Sequence, residues 1–79
     1  MVRIDVTQED IEHGCKHDDV KCPIALALRR VGYKHISVSS YIAWMENDRH
    51  TLRQTPPDAA KFIEDFDNNR EVKPFSFWM

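Results

Sequence analysis

The segment Cys22-Pro23-Ile24-Ala25-Leu26-Ala27-Leu28-Arg29-Arg30-Val31-Gly32 constrains this chain more than any other. Pro23 suits the first helical position, and Gly32 supplies the left-handed residue that ends a helix. Ile24, Ala27, Leu28 and Val31 form one stripe, which Ala25 and Leu26 widen towards all-round burial. Arg29 and Arg30 sit at the negative end of the helix dipole. A chain of 79 residues has room for one core, so the remainder must pack around this helix as a single domain.

The flanking patterns predict what does the packing. Val2-Arg3-Ile4-Asp5-Val6 alternates like a half-buried strand. Thr7 then opens a short helix with a capping box to Asp10 and a staple from Val6 to Ile11, and Gly14 stops it. Cys15 to Lys21 is polar and reads as an exposed loop. From His35 to Met45, β-branched and aromatic residues predict one long strand, bent or bulged at Ser39-Ser40. Ile36, Val38, Ile42 and Trp44 share its helix-facing side, and Ser37, Ser39, Tyr41, Ala43 and Met45 the other. Glu46 to Arg49 has turn composition, with Thr51-Leu52-Arg53 as a short return strand. Thr55-Pro56-Pro57-Asp58 predicts a second cap, followed by a helix burying Ala59, Phe62, Ile63 and Phe66. Glu71 to Met79 alternates as a C-terminal strand that Pro74 places at a sheet edge. The expected fold is α+β, in the order β-α-α-β-β-α-β: a small, mainly antiparallel sheet of three or four strands with helices on one face.

Composition narrows the function classes. A net charge of −2 and a pI near 6.0 argue against broad electrostatic adhesion to nucleic acid or an anionic membrane. No apolar run is long enough to span a bilayer, and the N-terminus lacks a signal-peptide layout, so a cytoplasmic protein is expected. Neither Gly14 nor Gly32 lies in a phosphate-cradling fingerprint. No catalytic constellation is visible, and neither enzyme activity nor a cofactor is expected.

Four potential metal ligands, His13, Cys15, His17 and Cys22, lie close in sequence, and a zinc-binding small domain is one alternative. Their spacing is poor, because structural zinc sites pair ligands across two separate knuckles. The plainer reading makes Cys22 a small buried residue, Cys15 incidental and both histidines solvated. A Cys15 to Cys22 disulfide is sterically conceivable. Cys22 at a helix start gains the dipole's help as a nucleophile, yet the apolar run beyond it predicts burial. Asp5, Glu9, Asp10, Glu12, Asp18 and Asp19 form an acidic section that could mimic nucleic acid or meet a basic partner, with Asp18 and Asp19 contributed by the centre of the exposed loop.

The opposite strand faces predict an exposed patch of Tyr41, Met45 and Trp78, suited to a protein partner. A nucleic-acid alternative would stack bases on the sheet aromatics and use Arg29, Arg30, Arg49, Arg53 and Arg70. An exposed sheet edge near Pro74 makes a homodimer conceivable.

The runs Val-Thr-Gln-Glu-Asp-Ile, Cys-Pro-Ile-Ala-Leu-Ala-Leu, Pro-Pro-Asp-Ala-Ala-Lys-Phe-Ile-Glu-Asp-Phe-Asp and Val-Lys-Pro-Phe-Ser-Phe resemble a group of small uncharacterised proteins encoded by phages, prophages and their bacterial hosts. The resemblance runs over nearly the whole chain and carries no assigned site residues. It implies a context, the cytoplasm of a bacterial host, and a role: a stoichiometric inhibitor docking on host machinery, of anti-CRISPR or other anti-defence type.

Overall fold

The structure, a computed structural model describing residues 1 to 79, is an α+β fold of three helices and five antiparallel strands. In chain order these are β1 (Arg3–Val6), α1 (Gln8–His13), α2 (Pro23–Val31), β2 (Lys34–Val38), β3 (Tyr41–Glu46), β4 (Arg49–Gln54), α3 (Pro57–Asp67) and β5 (Phe75–Trp78). The strands form two sheets, a β1-β5 ribbon and a three-stranded β2-β3-β4 meander. No helix is long and apolar enough to cross a membrane.

The α2 helix forms as its sequence demands. Cys22 is the N-cap, its sulfur accepting the Ala25 N–H at 3.4 Å, Pro23 occupies the first turn, and Gly32 ends the helix at φ 115°. Ile24, Ala25, Ala27 and Leu28 are fully buried, but Val31 is 47% exposed and leaves the predicted stripe. The capping box of α1 is complete: the Thr7 hydroxyl accepts the Asp10 N–H, and the Asp10 carboxylate accepts the Thr7 N–H. Gly14 ends α1 without a left-handed turn, at φ −71°. What requires glycine there is Pro23, since a Cβ on Gly14 would lie 2.6 Å from the proline ring.

The strand expected from His35 to Met45 is two strands, β2 and β3, folded back at Ser39-Ser40. Val38 stands opposite Ile42. Residues directly opposite share a face, so Ile36, Val38, Ile42 and Trp44 still line one side, all buried. Thr55 explains the fold-back, because its hydroxyl donates to the Ser39 carbonyl at 2.7 Å. That use removes Thr55 as the cap of α3, whose N-cap is Pro56 with no side-chain hydrogen bond. The return strand β4 is longer than the three residues expected. It follows Asn47 and Asp48, at φ 50° and 62°, the positive values a type I′ hairpin turn requires at both central positions.

The C-terminal strand does not join the meander but pairs with β1, with Ile4 opposite Phe77 and Arg3 opposite Trp78. α3 closes over this ribbon through Phe62, stacked on Phe75 at 4.8 Å between ring centroids. The loop before α2 is pinned at several points. Asp18 accepts the N–H groups of Val20 and Lys21, Arg29 donates to the Val20 carbonyl, the Asp19 carbonyl accepts the Val38 N–H, and the Asp67 carboxylate accepts the His17 N–H. Only 19 of the 79 residues are buried, so the chain builds its features on surfaces rather than in an enclosed cleft.

Candidate interaction face

The α2 helix packs on one side of the meander through β2, and the other side is bare. Along β3, Ile42 and Trp44 point into the core, while Tyr41 (50% exposed), Ala43 and Met45 alternate onto the open side. The β3-β4 register adds to this side, placing Leu52 opposite Ala43, His50 opposite Met45 and Gln54 opposite Tyr41. Leu52 is 63% exposed and lies diagonal to Tyr41, within reach of an aromatic side chain. Tyr41, Ala43, Met45 and Leu52 therefore make a continuous apolar stripe, rimmed by Ser37, His50 and Gln54.

The structure brings Tyr41 and Met45 together as expected and separates Trp78 from them. Trp78 is 55% exposed on the outer face of the β1-β5 ribbon, which belongs to the other sheet. Its neighbours on that face are polar: Arg3 is paired with Asp5 at 2.9 Å, and Ser76 donates to Asp5. Leu52 was missed as a site residue. Its signal, an aliphatic residue in a strand otherwise made of Arg49, His50, Thr51, Arg53 and Gln54, is visible only once the register is known.

Half of the acidic section is engaged within the fold, and Glu9, Glu12 and Asp19 stay exposed. Asp18 is consumed by its own turn, and only Asp19 of that pair keeps an exposed, unengaged carboxylate. The Ser76 hydroxyl, with Arg3 and Arg30, holds the Asp5 carboxyl below the usual carboxylate range. Burial acts to raise Asp10, but hydrogen bonds from Arg30 and Thr7 outweigh it and its carboxyl is also held low. The scattered arginines shrink likewise: Arg29, Arg30 and Arg70 are engaged within the fold, leaving Arg49 and Arg53.

His13, Cys15, His17 and Cys22 do not converge, and no three His, Cys, Asp or Glu side chains are placed to hold one metal ion. His13, Cys15 and His17 are exposed, whereas Cys22 is 4% exposed and both thiols are free. Burial pushes the Cys22 thiol up, the opposite of what a nucleophile needs. A native-state thiol titration should accordingly find one fast-reacting group per chain, Cys15, with Cys22 reacting only on unfolding. Two fast thiols would contradict the buried cap.

A shallow groove of about 310 Å³ runs between the end of α2 and the meander, lined by Val2, Val31, Gly32, Tyr33, Trp44, Met45 and Glu46. Tyr33 and Trp44 meet edge to face in its wall, at 5.4 Å between centroids. The groove holds no cluster of titratable groups. Compared with protein-family models, curated proteins and solved structures, the chain matches none.

Proposed function

We propose that this protein is a binding module for another protein rather than an enzyme, and that the open face of the β2-β3-β4 meander is its contact surface. One observation carries the reading: the uncovered stripe of Tyr41, Ala43, Met45 and Leu52 within a polar rim. Such a layout is that of a small protein interface, with apolar groups in the middle, an aromatic anchor at one end and hydrogen-bonding groups at the edge. The role implied by the phage-protein resemblance, stoichiometric blocking of host machinery, is compatible with a face of this kind and draws its support from the sequence alone.

The test is a capture experiment run in parallel with the wild-type protein and a Tyr41→Ala, Leu52→Ala double variant, using lysate of the cells that encode the chain. A defined protein retained by the wild type should be lost from the variant. Truncating an anchor of this kind costs about 2 kcal/mol or more of binding, on the order of 30-fold in affinity. Equal retention by both proteins would remove the open face from the reading. Retention of nucleic acid instead would move it to the base-stacking alternative.

A further inference from the structure

We propose that the outer edge of β4 is a docking strand that takes an extended acidic segment of the partner as a further strand of the meander, an inference that rests on the protein-binding reading above. The ladder sets which groups are free for this. Thr55 donates its N–H to the Ser40 carbonyl at 3.1 Å, and the register continues through Tyr41 and Gln54. By the alternation of antiparallel pairs, Arg53, Thr51 and Arg49 then bond to β3, while His50, Leu52 and Gln54 turn their N–H and C=O groups outward.

The other edges are guarded. β2 carries an irregularity between Lys34 and Ser37, and the Asp19 carbonyl takes its Val38 N–H. On β1, Arg30 donates to the Asp5 carbonyl at 2.6 Å, and Pro74 immediately precedes β5. β4 has no bulge and no proline, it contributes no residue to the core, and its outward-turned residues His50, Leu52 and Gln54 are all exposed. An unguarded edge is a template for strand addition.

Charge selects the occupant. Of the six arginines, Arg3, Arg29, Arg30 and Arg70 each donate to a carboxylate or carbonyl, and only Arg49 and Arg53 make no hydrogen bond or ion pair. Both lie on one face of β4, a strand with no acid. A second copy suits this edge poorly. The symmetric pairing centred on Leu52 is the longest one that keeps arginine from standing opposite arginine, and it still sets Arg53 diagonal to Arg49 and Arg53 of the second copy. An acidic strand neutralises them instead. Running antiparallel, its matching pattern is acid, apolar, any, any, acid: the acids face Arg53 and Arg49, and the apolar residue beside Leu52 extends the stripe of the open face.

The experiment is an NMR titration of the labelled protein with a short peptide carrying Glu-Val-Thr-Thr-Glu at its centre. The same peptide with Lys for each Glu, and an oligothymidylate, serve as comparisons. The expected result is that the His50, Leu52 and Gln54 amides shift and exchange more slowly with the acidic peptide, which binds about tenfold or more tighter than its lysine counterpart. Leu52→Pro removes an outward N–H that the β3 ladder does not use, and should abolish the response while the Thr51 and Arg53 amides keep their protection. Replacing Arg49 and Arg53 with Ala should erase the preference for Glu over Lys. Silent edge amides, an equal response to both peptides, or a response to the oligothymidylate alone would overturn the inference, as would edge protection that grows with protein concentration in the absence of peptide, which would assign the edge to a second copy. A cellular partner lost by Tyr41→Ala but kept by His50→Pro, which removes an outward N–H and leaves the apolar stripe intact, would overturn the edge inference and leave the open-face reading standing.

Discussion

Asp10→Ala is expected to lower the melting temperature by more than about 10 °C, a loss on the order of 3 kcal/mol for a chain of this size. The carboxylate is 6% exposed and accepts three donors: the Thr7 N–H at 2.9 Å and the two Arg30 guanidinium nitrogens at 2.7 and 2.9 Å. Since Arg30 also holds the Asp5 carbonyl, one side chain ties the start of α1 to the end of α2 and to the free edge of β1. The guanidinium is 48% exposed, so its Coulombic share is screened and the hydrogen bonds to the carboxylate account for most of the loss. Asp10→Asn keeps the shape without the charge and should cost less. A change within about 0.5 kcal/mol for Asp10→Ala, the range of an ordinary surface substitution, would show that this junction contributes little.

The same group sets an acid dependence. Asp10 is held low because Arg30 and Thr7 outweigh its burial, Asp5 chiefly through Ser76, and Asp65 chiefly through Arg70 and Lys61. A carboxylate lowered in the folded state stabilises fully above its unfolded pKa of about 3.9, and that stability disappears as pH falls through the lower folded value. The gap between wild type and Asp10→Ala should therefore be at full size near neutrality and narrow below about pH 4 in thermal melts followed by circular dichroism.

Local signals in the sequence were decisive where the physics is local. Pro23 and Gly32 bracket α2, Thr7 and Asp10 are three residues apart, and the alternation through Ile36, Val38, Ile42 and Trp44 names the buried face. Sequence reading stops where a distant residue decides. The fold-back at Ser39-Ser40 has no glycine, proline or asparagine to announce it, and depends on a Thr55 hydroxyl sixteen residues away. Phase within a strand says which side Trp78 takes but not which sheet it joins, so its grouping with Tyr41 and Met45 dissolves once β5 pairs with β1. The acidic section looked like a surface field because a count of carboxylates does not show that Asp5, Asp10 and Asp18 are already engaged. Leu52 and the free arginines of β4 gain meaning only from the register that leaves that strand bare.

Two substitutions on one strand separate the fold from the face. Trp44→Ala should cost about 3–5 kcal/mol, since the indole is 5% exposed, packs edge to face on Tyr33 and walls both the core and the groove beneath α2. Small domains hold only about 5–15 kcal/mol in total, so this variant should sit near its unfolding midpoint at modest urea. Tyr41→Ala, three residues earlier on the opposite side, should change stability by no more than about 0.5 kcal/mol. Tyr41 packs on no core residue that would be left with a cavity. Urea melts of the two variants make the comparison directly. A large gap means that the open side of the meander carries an aromatic residue the fold does not need, and any binding lost with Tyr41→Ala is then lost at the interface itself. Equal destabilisation would place Tyr41 in the core's support, and the open face would lose the anchor on which the binding reading stands.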